Sequence, residues 1–393
     1  MKFALVSYIL PPSNQATPLI LERLLRKLPP DRYCLIRPYN KNYQGQETPG
    51  GKTLKARYYD LKPDFQFTRG YRWGLAKLRS RLNILLGIVS QAWQIARVVR
   101  REQCQAIIVC TGDILNPPAA FIASRLTGTV FLVYMLDWYS RQWPDPWEHR
   151  LTASIERWMM KSVAGIIAPN EFLRDDLEKE YGIRSTVIHN SCDLEPYFPV
   201  EPVSRPTSGT GDKQIVYAGA FYEFQLDAFQ NLIMAFRQLN RPDIKLHLYI
   251  RRHPYELDAD GTNPAIVFHG RLPNEAIPPI LKAADILFLP LGFRTPYPQL
   301  VRTSAPGKTG ELLASGRPIL VNAPKDSFIS WYFRRYDCGL VVDNDNPQEL
   351  AAAIDSLLSD AELRTRLGTN AVNRAKADFD VSVAQAAFAQ LLN

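Results

Sequence analysis

Short apolar runs rich in β-branched residues recur along this chain, and stretches long enough for helices separate most of them. Runs of four to eight residues that alternate with helical segments are typical of βα units with buried parallel strands. We therefore predict an α/β fold built on parallel sheets. The predicted strands are residues 3–7, 34–37, 106–110, 130–136, 165–168, 214–218, 245–250, 265–269, 286–289, 318–321 and 339–342.

One segment divides these runs into two sets. Residues 198–212 are rich in Pro, Ser, Thr and Gly and have no apolar period, which is typical of a linker. The chain has 393 residues, enough for two α/β domains. We predict two Rossmann-like domains, residues 1–197 and 214–376, joined by a linker at residues 198–213.

The cysteines and the apolar runs indicate the cellular location that we expect for this chain. The five cysteines form no CxxC pair, so we expect neither a disulfide framework nor a zinc site, and a cytoplasmic location. We expect no signal peptide, because the first apolar run is short and meets two prolines. No uninterrupted apolar run reaches about 18 residues, so we expect no transmembrane helix.

The net charge of +8 comes from the start of the chain. In the first hundred residues, lysines and arginines outnumber acidic residues several-fold, and residues 69–101 contain no acidic residue. Trp73, Leu75, Leu78 and Leu82 could share one helix face with basic neighbours, a pattern that suits an anionic membrane surface. The alternative is a core helix with a solvated basic face, which is our reading of residues 84–99. No nucleic-acid recognition motif is apparent.

The segment from Thr303 to Val321 carries the pattern most informative about chemistry. Small residues and Pro306 precede a predicted helix that ends at Gly316, and a helix start with close backbone approach can bind phosphate. Lys308, Arg294 and Arg302 could add cationic donors, and Glu311 could accept hydrogen bonds from a ribose diol. Alternatively, Ser304 caps the helix and Glu311 is a surface residue. A phosphate-binding P-loop is excluded, because residue 302 is Arg where that motif requires Gly.

Residues 306–320, PGKTGELLASGRPIL, resemble the PxKxxEyLAxGxPvl stretch of glycosyltransferase family 4, whose members are retaining enzymes of the GT-B fold. Residues 187–193 (VIHNSCD), 215–219 (IVYAG) and 267–272 (VFHGRL) are similar to further blocks of that family, in the same order. The resemblance covers most of residues 165–393. It implies two Rossmann-like domains facing across a cleft, with a terminal helix, residues 377–393, that crosses back to the first domain.

The resemblance also implies a donor site. It assigns Gly219, Gly270, Arg271, Ser304, Pro306, Gly307, Lys308 and Glu311 to a nucleoside diphosphate sugar, with the backbone at residues 270–272 near the base. The family's first glutamate, usually placed near the sugar ring, is Thr303 here. Ala220 and Leu226 replace an Arg and a Lys that often grip the diphosphate. We assign their role to Arg294, Arg302 and Lys308, from charge and loop position.

Acceptor-side residues are expected in the first domain. Asp137 follows a predicted strand, where a carboxylate could bind an acceptor hydroxyl or assist its deprotonation; the alternative is a helix cap. Ser13, Asn14 and Gln15 follow the first strand and replace the family's usual glycines there. Asn190 lies in the block that resembles the family's vIpNgvD element, and we include it on the acceptor side.

These residues predict a metal-independent, retaining hexosyltransferase that needs no cofactor and uses a UDP- or GDP-sugar. The five histidines have no metal-binding spacing, and cationic side chains could neutralise the diphosphate instead. The acceptor would be a glycan, a lipid or a lipid-linked sugar, reached in the cytoplasm or at the inner membrane face. The alternatives are a GT-B epimerase or phosphorylase, and a non-catalytic protein that binds nucleotide sugar or membrane.

Overall fold

The computed structural model describes residues 1–13, 15–38, 52–63, 76–198, 211–222, 225–251, 257 and 263–392. Asn14, residues 69–75 of the basic segment and residues 199–210 of the predicted linker lie outside the described residues. The chain divides into two compact units. Unit 1 comprises residues 1–189 and the C-terminal residues from Ala384, and unit 2 comprises Asn190–Val383.

Unit 1 is built on a seven-stranded parallel sheet with the strand order β3-β2-β1-β4-β5-β6-β7. Its strands are β1 (Phe3–Val6), β2 (Tyr33–Arg37), β3 (Arg57–Asp60), β4 (Ala106–Cys110), β5 (Val130–Tyr134), β6 (Gly165–Ala168) and β7 (Ser185–Val187). Its helices are α1 (Ala16–Leu25), α2 (Ala76–Arg101), α3 (Asn116–Thr127), α4 (Pro146–Met160) and α5 (Glu171–Tyr181), to which the C-terminal part of α13 (Val381–Leu391) is added.

Both faces of this sheet are covered, which is why its central strands are apolar throughout. Ala4 and Val6 of β1 belong to the core beneath α2–α5, whereas Phe3 and Leu5 belong to the core beneath α1 and α13. Helix α13 contributes Phe388, whose ring meets that of Phe3 at 5.8 Å. Alternate residues of a parallel strand thus enter two different cores.

Unit 2 is built on a six-stranded parallel sheet with the strand order β10-β9-β8-β11-β12-β13. Its strands are β8 (Lys213–Ala218), β9 (Ile244–Tyr249), β10 (Ile266–Phe268), β11 (Ile286–Pro290), β12 (Ile319–Asn322) and β13 (Leu340–Val342). Its helices are α6 (Leu226–Leu239), α7 (Ile277–Ala283), α8 (Pro298–Arg302), α9 (Thr309–Ala314), α10 (Phe328–Arg335), α11 (Pro347–Ser359) and α12 (Ala361–Arg374).

Local signals in the sequence fix the helix ends. The side chain of Asn170 accepts from the Leu173 amide and starts α5, and Gly182, at φ +69°, ends it. Such an Asn at the start and a left-handed Gly at the end satisfy backbone groups that have no partner within the helix.

The α/β fold class with two Rossmann-like units is confirmed. Every predicted strand is present, with its ends shifted by at most two residues. In each sheet the strand order reverses once, between β1 and β4 in unit 1 and between β8 and β11 in unit 2. Ligands of open α/β sheets bind at the carboxyl ends of the strands beside such a reversal.

Candidate active site

The reversal in unit 2 brings Gly219 and Lys308 together. Gly219 follows β8, and Lys308 immediately precedes α9. The ammonium group of Lys308 donates to the carbonyl of Ala218, and a Cβ atom added to Gly219 would lie 2.7 Å from Nζ. Only a glycine leaves this space for the lysine side chain. The cation therefore lies at the carboxyl end of β8, against Ala218 and Gly219.

Glu311 and Arg271 act in opposite directions on the pKa of Lys308. Burial lowers the pKa of Lys308 to about 8. The carboxylate of Glu311 raises this pKa, and the positive charge of Arg271 lowers it further. Three residues of the predicted donor site therefore lie close enough to influence one another. Lys308 is half-buried, and an anion bound beside it would stabilise its charged form.

Helix α9 is shorter than the sequence predicts. It spans six residues and begins at Thr309, with no side-chain cap, so Ser304 does not cap it. Pro306 and Gly307 precede it in a turn, in which the backbone amide and the hydroxyl of Thr309 donate to the Pro306 carbonyl at 2.9 and 2.8 Å. Glu311 lies in the first turn of α9. The cationic side chains therefore carry more of any phosphate binding than the end of so short a helix.

Gly310 has a packing role that the sequence analysis did not consider. A Cβ atom at this position would lie 2.9 Å from Cys192 Sγ and 2.9 Å from Phe379 Cβ. Its backbone therefore packs directly on these side chains. This close packing sets the position of α9, and with it the position of Glu311.

The structure does not bring Arg294 and Arg302 into this group. Arg294 is 80% exposed in its side chain and pairs with Asp345 at 2.7 Å, ahead of α11. The guanidinium of Arg302 donates to the Asp326 carbonyl at 3.2 Å, in the loop after β12. Among the described residues, Arg271 is the cation that influences the pKa of Lys308.

Thr303 and Asn190 flank the same segment. Thr303 is buried, and its hydroxyl donates to the Gln299 carbonyl at 3.1 Å. Asn190 belongs to unit 2, where its amide nitrogen donates to the Ala305 carbonyl at 2.8 Å. Its Oδ1 is buried and has no hydrogen-bond partner among the described residues. Asn190 therefore supports the predicted donor segment from within unit 2.

A stack of aromatic rings lies beside the predicted base position. Gly270 has φ +71° with open space on its Cβ side, and exposed Arg271 follows it. Immediately before them, the ring of His269 stacks on Tyr249 at 4.3 Å and on His247 at 5.1 Å. From the sequence, both histidines were noted only as lacking metal-binding spacing.

Both histidines of this stack have a lowered pKa. Burial is the main cause, and it lowers the pKa of His247 to about 4 and that of His269 below its usual range. His247 Nδ1 and His269 Nε2 are 2.9 Å apart, so one ring donates to the other. The alternation of His247 and Tyr249 on one face of β9 was the available signal for this stack.

Unit 1 gathers polar groups at its own reversal. Asp137 follows β5, and the Thr111 hydroxyl after β4 donates to the Asp137 carbonyl at 3.0 Å and accepts from the Leu136 amide. Asp137 is accessible to solvent. The neighbouring protein groups displace water from its carboxyl, and this desolvation raises its pKa. Thr111 thus fixes the backbone that presents Asp137 at the end of the sheet. The sequence analysis did not single out Thr111.

A second carboxylate, Asp113, lies at the end of the neighbouring strand β4. It accepts from the amides of Leu115 and Asn116, both at 2.7 Å, and so begins α3. Burial raises the pKa of Asp113 to about 6. The sequence analysis missed this residue because no apolar pattern distinguishes it from any other turn aspartate.

The loop after β1 meets the same edge. Gly112 has φ +141°, and a Cβ atom there would lie 2.2 Å from the Tyr8 ring, so only glycine permits this approach of the β1 and β4 loops. Ser13 is half-buried and accepts from the Gln15 amide at 3.4 Å, just before α1. Ser13 and Gln15 therefore belong to the loop at the unit 1 reversal.

Within the described residues, no group of three or more His, Cys, Asp or Glu side chains is arranged to hold a metal ion. His253 lies outside those residues.

Two family matches cover more than half of the chain. Residues 53–191 match the family described as "Glycosyl transferase 4-like domain", and residues 212–360 match "Glycosyl transferases group 1". No curated protein matches the sequence.

Solved structures support the same assignment of the fold. HepE from Anabaena, in complex with UDP, is 15% identical with a TM-score of 0.68 over 100% of this chain and 99% of its own. Sucrose-phosphate synthase from Thermosynechococcus elongatus is 13% identical with a TM-score of 0.70, over 100% and 98%. A glycosyltransferase from Rickettsia africae is 12% identical with a TM-score of 0.68, over 99% and 97%.

At these identities the structural likeness concerns the fold, and the two sequence matches supply the family. Both matches agree with the order of motifs in the sequence and with the two parallel-sheet units. The chain is a GT-B glycosyltransferase and belongs to the family 4-like group.

Proposed function

We propose that this enzyme transfers a hexose from a UDP-sugar to a hydroxyl of a glycan, lipid or lipid-linked acceptor, with retention at the anomeric carbon and without a metal ion. The observation that carries the proposal is the position of Lys308, a half-buried cation held against Gly219 at the β8–β11 reversal. Arg271 and Glu311 both influence the pKa of Lys308.

The choice of uridine as the base draws on related structures. HepE was crystallised with UDP, with UDP and glucose, and with UDP-glucose. In this chain, Lys308 and Arg271 would contact the diphosphate, and Glu311 would accept hydrogen bonds from the ribose. The backbone at Gly270 and the stacked rings of His269 and Tyr249 would lie beside the uracil base.

Catalysis would rest on stabilising the departing UDP. The bond between the anomeric carbon and the phosphate oxygen breaks, and the negative charge that develops on the phosphate is neutralised by Lys308 and Arg271. The acceptor oxygen bonds to the same face of the anomeric carbon, and its proton passes to the departing phosphate. Asp137 would position the acceptor hydroxyl through a hydrogen bond.

The acceptor is proposed from charge. The positively charged first hundred residues favour an anionic glycan or a lipid-linked sugar at the inner face of a membrane.

The test measures sugar release and transfer from UDP- and GDP-sugars, in the presence of EDTA, by the wild type and by Glu311→Ala. Glu362→Ala, on the exposed start of α12, serves as the matched control. We expect turnover with a UDP-sugar, unaffected by EDTA and by Glu362→Ala and strongly reduced by Glu311→Ala. Turnover that survives Glu311→Ala would refute the donor site, and an inverted anomer in the product would refute retention.

The second candidate is donor binding without turnover. It is favoured by Thr303, a buried hydroxyl where the family resemblance expects a carboxylate near the sugar. UDP-sugar binding measured by calorimetry, combined with no release or transfer for any acceptor, would support this candidate. Conversion of the donor to an epimeric UDP-sugar would instead indicate an epimerase.

A further inference from the structure

Helix α2 exposes a stripe of large apolar side chains. Of the thirteen large apolar side chains that are exposed in the described residues, six lie on this one helix. They are Leu78, Leu82, Leu85, Leu86, Val89 and Trp93. Trp93 is 61% exposed and Val89 is 54% exposed. We call these six residues the α2 stripe.

The spacing of the stripe places it on one side of the helix. Steps of three and four residues bring the six side chains within an arc about 100° wide, since each residue advances an α-helix by about 100°. A different set, Gly87, Ile88, Gln91, Ala92, Ile95, Ala96 and Val99, is buried. The helix is therefore apolar on two sides, and only one of them is covered by the core of unit 1.

This finding corrects the sequence analysis. Residues 84–99 were expected to be a core helix with a solvated basic face. The core contact is present, but Leu85, Leu86, Val89 and Trp93 are exposed on that half of the helix. An exposed apolar patch of this extent on a protein surface marks an interaction site.

Helix α2 is basic at both ends. Helix α2 contains Lys77, Arg79, Arg81, Arg97, Arg100 and Arg101 and no acidic residue. At the N-terminal end, Arg81 lies 5.0 Å from the centre of the Trp147 ring. The pKa of Asp145 is lowered chiefly by hydrogen bonds from the amides of Glu148 and Trp147, and the charges of Arg81 and Lys77 add smaller contributions. At the other end, Arg100 donates to the Leu126 carbonyl at 2.7 Å, which brings exposed Leu126 beside the helix.

We propose that the α2 stripe docks on an anionic lipid bilayer, with Val89 and Trp93 inserted among the acyl chains and the flanking basic residues on the headgroups. An apolar face bordered by basic residues, with Trp on the apolar side, has the chemistry of an interfacial helix. The surface belongs to unit 1 and needs no part of the donor site.

Two other roles for this surface are less consistent with its charges and contacts. In a symmetric pair of identical chains the same patch meets itself. Each copy would then bring the six cations of α2 toward the six of its partner. By length and composition α2 could also cross a membrane. That would require withdrawing Ile88, Ile95 and Val99 from the core of unit 1.

The test is sedimentation of the full chain with vesicles, without donor or acceptor. Vesicles of phosphatidylglycerol and phosphatidylcholine are compared with vesicles of phosphatidylcholine alone. The double variant V89S/W93S removes the apolar contact, and K77Q/R97Q removes one charge near each end of the helix. The matched control is Met234→Ser, at an exposed apolar position on α6 in unit 2.

We expect the wild type and Met234→Ser to bind the anionic vesicles and to bind phosphatidylcholine alone weakly. V89S/W93S should lower the partition coefficient by about tenfold or more, because the apolar area that enters the bilayer is lost. K77Q/R97Q should weaken binding to anionic vesicles while leaving binding to phosphatidylcholine unchanged. Fluorescence quenching by brominated lipids should be larger for the wild type than for Trp93→Phe.

Three outcomes would overturn the proposal. They are failure of the wild type to bind anionic vesicles, wild-type binding by V89S/W93S, and a wild-type dimer that V89S/W93S converts to monomer without any vesicle binding. Circular dichroism and UDP-sugar binding by V89S/W93S establish that the variant is folded. Glu311→Ala should bind vesicles as the wild type does, so failure of the proposed donor site would leave the vesicle result unchanged.

Discussion

The ammonium group of Lys308 occupies the space that a side chain at residue 219 would need. A Cβ atom on Gly219 would lie 2.7 Å from Nζ and 3.0 Å from Cε of that lysine. The glycine after β8 and the lysine before α9 are therefore interdependent, although 88 residues separate them in the chain.

Gly219→Ala should displace the Lys308 side chain and weaken UDP-sugar binding by about tenfold, which corresponds to the loss of one hydrogen bond to a charged group. The clash involves the end of a flexible side chain, so the free energy of unfolding should fall by no more than about 1 kcal/mol. Calorimetry and thermal unfolding check both. Gly165→Ala in unit 1, which would meet Leu132 at 3.3 Å, is the control and should leave donor binding unchanged.

Donor binding should weaken as the pH rises through about 8, where Lys308 loses its proton. A bound diphosphate raises this pKa, so above pH 8 the affinity should fall by up to about tenfold per pH unit. Lys308→Arg should bind with little change between pH 7 and 9.5, because arginine stays protonated. Parallel pH profiles for the two proteins would contradict the assignment.

The same shift predicts the pH dependence of stability. The pKa of Lys308 is about 8 in the folded enzyme and 10.5 as an ordinary lysine. Between these values the unfolded chain binds more protons, so this residue makes the free energy of unfolding increase with pH. Denaturant unfolding at pH 7 and pH 10 should show that increase in the wild type, and Lys308→Met should lack it.

Arg271 and Arg294 should differ in their effect on donor binding. Arg271→Gln should weaken UDP-sugar binding by about tenfold, because Arg271 shares the electrostatic environment of Lys308. Arg294→Gln should change it less than about twofold, because Arg294 is exposed and paired with Asp345. Calorimetry at low and moderate salt measures both. The opposite ranking would restore Arg294 as the substitute for the family's missing phosphate ligands.

Asp137→Asn should lower transfer to the acceptor by about a hundredfold and leave UDP-sugar binding unchanged, if the carboxylate assists the acceptor hydroxyl. The pKa of Asp137 is raised, so the wild-type transfer rate should begin to fall at a pH above the usual aspartate range, and the variant should lack that fall. Asp60→Asn, at the exposed end of β3, is the control. An unchanged transfer rate in Asp137→Asn would remove it from the acceptor site.

Strand prediction succeeded where burial on both faces demands apolar residues and failed at the two edges of the unit 1 sheet. The two missed strands, β3 and β7, are the outermost strands of the unit 1 sheet. β3 reads Arg-Tyr-Tyr-Asp with two exposed residues, and β7 has three half-buried residues. An edge strand has a neighbour on one side only, so its sequence need not carry an apolar run.

The candidate site was predictable in part. The segment around Lys308 and Glu311 is recognisable from its sequence, because its residues are consecutive. The sequence did not show that Arg271, and not Arg294, would influence Lys308. A guanidinium on a long side chain pairs with whichever carboxylate the fold brings near it. For Arg294 that carboxylate is Asp345, 51 residues away.

The sequence by itself determined the alternation of strands and helices, the division into two halves and the family to which the chain belongs. These properties depend on the local period of apolar residues and on contiguous motifs. The tertiary structure decided which cation lies against Gly219 and which side of α2 is left uncovered. Both depend on contacts between segments distant in the chain, and a helix with two apolar faces does not state in its own sequence which of them the core will cover.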